Sequence, residues 1–182
     1  MKNIVLGVTG SIAAYKAAYI TNTLTKTGCN VDVIMTKGGM EFITPLTLQI
    51  LSKNKVYTDM FQIDYPQEVK HISLSKKADL FLIAPATANI IGKIANGIAD
   101  DMLTSVALAM KDIPMLIAPA MNTRMYEKPI VQENIQKLKK FGYQIIEPRE
   151  AILADGDLGK GALADVDEII KAVTEGLQEK KQ

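Results

Sequence analysis

Ile4-Val5-Leu6-Gly7-Val8-Thr9-Gly10-Ser11-Ile12 is the stretch on which the architecture of this chain turns. Residues 4–8 form a short apolar run with no polar alternation, the pattern of a strand buried on both faces. Thr9-Gly10-Ser11 then turns the chain, and a helical pattern follows over residues 12–24. A two-sided buried strand feeding directly into a helix opens a parallel βαβ unit, because parallel strands need a crossover between them.

The same unit recurs along the chain. Residues 31–35 read as a second strand, ended by Thr36-Lys37-Gly38-Gly39 and a helix that Pro45 interrupts before it resumes to residue 51. Residues 55–68 have little periodicity. Further strands are expected at 80–84, 115–118 and 143–146, with helices over 88–95, 101–110, 130–140 and 166–177. This alternation predicts one doubly wound α/β domain over 1–182, a parallel sheet with helices on both faces. The Gly- and Asp-rich stretch 147–165 reads as a loop able to act as an active-site lid, and 178–182 as a polar tail that frays.

Composition narrows the function classes. With 182 residues, 48% of them hydrophobic, the chain is long enough for one well-packed core. A net charge of +1 with no basic stripe argues against nucleic-acid and anionic-membrane partners. The N-terminal apolar run is too short for a signal peptide or a span. The single cysteine, Cys29, excludes an internal disulfide and a Cys-rich metal centre, and fits a cytoplasmic setting. The one histidine, His71, has no neighbours that complete a ligand set, so no metal is expected.

The strand ends carry the polar candidates, and in open α/β sheets ligands bind outside those ends. Gly10 and Ser11 either let backbone amides approach a phosphate or simply cap a helix. The run lacks G-x-G-x-x-G, and no acidic residue follows the second strand, so Thr36 and its glycines suit a mononucleotide better than a dinucleotide. Pro85-Ala86-Thr87-Ala88-Asn89 offers small residues against which a flat ring could lie, or against which a helix could pack closely. In Pro119-Ala120-Met121-Asn122-Thr123-Arg124-Met125, Asn122 supplies a donor and an acceptor that can hold a carboxylate without charge, or forms a strand-end turn. His71 is placed at a loop-to-element junction, where an imidazole acts as a base near neutrality or is merely structural.

Together, His71, the 85–89 segment and the P-x-M-N-x-x-M run at 119–125 resemble the homo-oligomeric flavin-containing cysteine decarboxylases, and the likeness spans nearly the whole chain. Tyr126, where that family commonly has tryptophan, and Ile90, where it usually has threonine, are departures. The resemblance implies a three-layer, flavodoxin-like (Rossmann-like) fold that binds FMN. Gly10, Ser11, Ile12, Thr36, Thr87 and Ala88 then stand at flavin positions, and Ala120, Met121 and Asn122 at substrate positions. It implies trimers, sometimes dodecamers, with flavin and substrate between subunits.

By the same likeness His71 acts in oxidation of a cysteinyl group and Asn122 holds its carboxylate. Oxidation of the thiol-bearing carbon to a thioaldehyde creates the electron sink that a saturated carbon lacks, so carbon dioxide can leave to give an ene-thiol. The implied substrate is 4′-phospho-N-pantothenoylcysteine, made by a separate ligase and converted to 4′-phosphopantetheine for coenzyme A. A peptide C-terminal cysteine, flavin prenyl transfer and a non-catalytic FMN-binding regulatory role are the alternatives. The final reduction is associated with a cysteine in an A-C-G-D loop, and here the loop reads Ala154-Asp155-Gly156-Asp157. Asp155 either donates the proton in its place, leaves the chain to stop at the ene-thiol, or is an introduced change that traps an intermediate.

Overall fold

The computed structural model describes residues 1–61, 69–154 and 156–179. Its core strands are β1 (Asn3–Val8), β2 (Asn30–Met35), β3 (Leu80–Ala86), β4 (Met115–Pro119) and β5 (Tyr143–Ile145). They form one parallel sheet of order β2-β1-β3-β4-β5, with Ile4 opposite both Val31 and Leu80, and Met115 opposite both Phe81 and Tyr143. This is the doubly wound, flavodoxin-like order. The chain leaves β1 for β2 on one side and returns to place β3 on the other, so a crevice opens beyond the carboxyl ends of β1 and β3.

Nine helices among the described residues complete the layers: α1 (Lys16–Lys26), α2 (Lys37–Met40), α3 (Pro45–Ser52), α4 (Lys70–Lys77), α5 (Ala88–Ala95), α6 (Met102–Ala109), α7 (Thr123–Tyr126), α8 (Pro129–Lys140) and α9 (Val166–Glu179). Successive strand residues point to opposite faces. Ile4, Leu6 and Val8 face α1, α3 and α9 in one core, while Val5, Phe81 and Ile83 face α4, α5, α6 and α8 in the other. Gly7 also belongs to the second face, where a Cβ would lie 2.5 Å from Leu103 Cδ1. A side chain there would have to displace the Leu103 tip of α6.

Local chemistry accounts for the helix boundaries. Pro45 starts α3 at a position where its missing N–H costs nothing. Asp101 caps α6, its Oδ1 accepting from Thr104 N at 2.8 Å, while Thr104 Oγ1 accepts from Asp101 N at 3.1 Å.

Three expectations are corrected. The helix expected from Ile12 begins as a 3₁₀ turn, Ile12–Tyr15, before α1 takes over. The loop expected over 147–165 contains an antiparallel ribbon, β6 (Arg149–Ile152) with β7 (Leu158–Ala162). Backbone pairing across Ala151 and Gly159 satisfies groups that a loop would leave to water. The tail expected from residue 178 is still helical to Glu179. Residues 62–68 of the aperiodic segment and 180–182 of the tail lie outside the described residues. Before that segment, Tyr57 extends the sheet edge by bridging Ile34, with Met35 N donating to Tyr57 O at 2.9 Å.

Candidate active site

A cleft of about 850 Å³ lies at the carboxyl ends of β1, β2, β3 and β4, within the size range of small-molecule sites. Its floor is built by three loops. After β1, Ser11 Oγ accepts from Ala13 N at 3.2 Å and so caps the 3₁₀ turn. After β2, Thr36 Oγ1 accepts from Gly39 N at 3.2 Å and caps α2. After β3, Thr87 Oγ1 accepts from Ile90 N at 3.4 Å and caps α5. Capping and lining of the cleft are thus combined in the same residues. The first residues of all three elements line one space, and helix starts favour an anion.

Two contacts hold these loops together. Thr9, only 2% exposed, donates from Oγ1 to Pro85 O at 2.7 Å and accepts from Thr87 N at 3.1 Å, joining the ends of β1 and β3. Gly10 meets Gly38 backbone to backbone, and a Cβ on Gly10 would stand 3.0 Å from the Gly38 carbonyl carbon. Any larger residue at Gly10 would push the first two loops apart.

The far wall follows β4. Ala120 N donates to Ala86 O at 2.9 Å, and Met121 N donates to Gly161 O at 3.0 Å, which seats β7 against this segment. Asn122 caps α7, its Oδ1 accepting from Arg124 N at 2.8 Å. The turn that could have been its whole explanation is real, and it fixes the side chain at the cleft. The ribbon adds Ile152, Leu153 and Ala154 from one strand and its turn, and Gly161 and Ala162 from the other.

All of Gly10, Ser11, Ile12, Thr36, Thr87, Ala88, Ala120, Met121 and Asn122 line this one space. His71 does not. It is the second residue of α4 and half-buried. Asp155 lies outside the described residues.

Several charged residues at the cleft were not anticipated. Lys16 lies one turn beyond Ser11; burial, and then Arg149 beside it, lower its pKa despite the opposing pull of Asp165. Arg149 is held by Asp165 at 3.3 Å and by Leu163 O at 3.2 Å. Lys93 bonds Asp100 at 2.8 Å, which raises its pKa, and approaches Asp101 at 3.8 Å. Lys16, Lys93 and Arg149, far apart in sequence, are brought to the cleft by the fold. Among the described residues no group of three or more His, Cys, Asp or Glu could hold a metal ion. None of the described helices is long and apolar enough to cross a membrane.

This fold with this strand-end cleft is the arrangement of a nucleotide-type cofactor protein, and residues 1–178 match the family described as Flavoprotein: the chain belongs to that family. It is 56% identical over 177 residues to a protein of Streptococcus mutans named probable phosphopantothenoylcysteine decarboxylase, covering 97% of this chain and 99% of that one. A solved structure of a PPC decarboxylase mutant complexed with pantothenoylaminoethenethiol superposes with a TM-score of 0.88 at 33% identity, over 96% of this chain and 97% of the other. The FMN-dependent cysteine decarboxylase SpaF gives 0.87 at 32% identity, over 100% and 98%. Coenzyme A biosynthesis bifunctional proteins also match, that of Bacillus subtilis at 51% identity, and the chain spans 42% of its length.

Proposed function

We propose that this chain is an FMN-dependent decarboxylase that converts 4′-phospho-N-pantothenoylcysteine to 4′-phosphopantetheine in coenzyme A biosynthesis. The observation that carries the reading is the meeting of the two strand-end sets, residues 10–12, 36 and 87–88 with residues 120–122, in one cleft. The floor fits the flavin: converging helix starts suit its phosphate, and the Gly10–Gly38 approach leaves a side-chain-free surface. FMN, when bound, supplies the oxidation of the cysteinyl carbon and the electron sink for loss of carbon dioxide.

The chain's own residues then have separable tasks. Gly10, Ser11, Ile12, Thr36, Thr87 and Ala88 hold the cofactor. Asn122, an uncharged amide at the cleft whose oxygen accepts from Arg124 N, holds the substrate carboxylate. Met121 and Ala120 wall the cysteinyl group. His71 removes the proton from it, and we place that imidazole at the cleft of a neighbouring subunit. In favour stand its absence from the lining of its own cleft and the exposure of Val69 beside it and of Ile12 and Tyr15 at the cleft rim. Apolar surface of that kind is what a subunit contact covers. The family resemblance makes that assembly a trimer, sometimes built up further into a dodecamer.

The ribbon and its connecting turn form the lid. Asp155, between the two ribbon strands in sequence, donates the proton that completes the product. A separate ligase supplies the substrate. The setting is cytoplasmic, in keeping with a lone cysteine.

A second reading, oxidation of a cysteinyl substrate only as far as the ene-thiol, is favoured by one observation: the loop has Asp155 where the family pattern has cysteine. Anaerobic incubation with 4′-phospho-N-pantothenoylcysteine, followed by mass spectrometry and flavin absorbance, separates the two. Loss of carbon dioxide with flavin reoxidised supports the complete reaction. The ene-thiol with flavin left reduced supports the second reading, and no reaction by an FMN-loaded protein refutes both for this substrate.

A further inference from the structure

Tyr126 closes α7, the turn that Asn122 caps, and is only 6% exposed. Its hydroxyl donates to Glu147 Oε2 at 3.1 Å. Glu147 stands two residues before β6. Lys160, which faces Glu150 across the ribbon, reaches the same oxygen at 2.9 Å and lies 5.7 Å from the centre of the Tyr126 ring. Lys139 of α8 takes the other oxygen at 3.3 Å. One carboxylate therefore gathers α7, α8 and both legs of the ribbon.

The surroundings leave little room for these parts to slide. Met121 N bonds Gly161 O, and a Cβ at Gly159 would lie 2.5 Å from Thr123 Oγ1. The ribbon thus rides directly on the backbone that presents Met121 and Asn122. Burial works against the Glu147 charge, yet bonds from Lys160, Lys139 and Tyr126 hold its pKa below the ordinary carboxylate value. Burial, and then Glu147, raise the pKa of Tyr126, so its hydroxyl stays a donor across the neutral range.

We propose that Tyr126, Glu147 and Lys160 are positioning residues that lock the β6–β7 ribbon against the Asn122 turn and so fix the spacing of the substrate carboxylate clamp. The proposal rests on the decarboxylase reading. The two lysine bonds to Glu147 are half-exposed ion pairs and contribute little alone, whereas the Tyr126 bond joins a buried donor to a charged acceptor.

The test uses FMN-loaded Tyr126→Phe, Glu147→Gln and the double variant. Phe keeps the buried ring and Gln keeps the shape, so folding is preserved. Trypsin cleavage at Arg149 or Lys160, without substrate, is expected to quicken about fivefold in each single variant. KM for 4′-phospho-N-pantothenoylcysteine is expected to rise about fivefold with kcat changed less than twofold, the mark of a lost positioning contact. The double variant should be no worse than the poorer single, because both act through one bond. Unchanged KM, even with faster cleavage, would overturn the positioning role, and fully additive effects would overturn the shared bond. Absence of turnover in the unaltered holoenzyme would sink the decarboxylase reading, while the cleavage rates would still decide whether the tie exists.

Discussion

At the floor of the cleft, Thr9 ties β1 to β3 through bonds of 2.7 and 3.1 Å at a residue that is 2% exposed. At its roof, Glu147 and Lys160 bond at 2.9 Å with side chains 49% and 47% exposed. The floor contains no titratable group in its tie and excludes water, so each bond there is costly to lose. The roof depends on one bond from buried Tyr126 and on half-exposed ion pairs, and those pairs are cheap to break and sensitive to pH and salt. A cofactor that stays bound needs the first kind of support. A wall that admits and releases a substrate needs the second.

The largest effects are expected where the two regions meet at the reacting group. Asn122→Asp keeps an oxygen to cap α7 but sets a carboxylate against the substrate's own, and like charges that close repel. His71→Asn removes the only imidazole in the chain. Each should slow carbon dioxide release by about a hundredfold or more, the usual scale for a lost acid–base or binding group, with FMN retained in a spin-column assay. Flavin loss in either variant would instead make that residue part of the floor.

Next in size, Thr9→Val keeps the volume and removes the hydroxyl, leaving Pro85 O and Thr87 N without that partner in a buried place. A cost of about 1–3 kcal/mol is expected, read as a lower midpoint in urea, together with weaker FMN retention. Thr9→Ser should restore most of both. A Val variant as stable as the parent would mean that the floor relaxes as readily as the roof.

Acid should separate the two regions without any mutation. The Glu147 pKa is held below its ordinary value by its lysine and tyrosine partners, which outweigh burial. A depressed carboxylate contributes stability that is full above the unfolded pKa and lost as pH falls through the folded one. Pepsin cleavage within the ribbon should therefore accelerate as pH drops below the ordinary glutamate range. Cleavage of β1 and β3, whose tie has no titrating group, should rise only with global unfolding. Simultaneous cleavage of both would erase the distinction.

The floor was also the part most legible in the sequence. Residues 4–8, 80–84 and 115–118 are unbroken apolar runs, the first ended by Thr9 and the others by Pro85 and Pro119, and the cleft stands where those runs stop. The ribbon was hidden for the opposite reason. Its strands, Arg149–Ile152 and Leu158–Ala162, are short, charged or glycine-bearing, and earn their pairing from the backbone they rest on. Lys16 and Arg149 could not be linked because nothing in local pattern encodes a contact across such a separation. His71 was read as a junction residue, and it is one, at the start of α4. Its separation from its own cleft is a fact of topology that no motif expresses.

The smallest expected effect gives the sharpest control on the roof. Arg124 approaches Asp157 at 3.9 Å with side chains 84% and 57% exposed, a geometry in which an ion pair contributes on the order of 0.5 kcal/mol or less. Its backbone N–H, however, is the donor to Asn122 Oδ1. Arg124→Ala removes the ion pair and leaves that N–H in place, so the clamp should keep its orientation. The melting temperature should stay within about a degree and kcat/KM within about twofold, since surface substitutions away from buried features are nearly neutral. A tenfold fall in kcat/KM with an unchanged melting temperature would mean that the guanidinium meets the substrate directly. The wall beside Asn122 would then recognise charge as well as carry the clamp, and the contrast between a binding floor and a merely fastened roof would have to be redrawn.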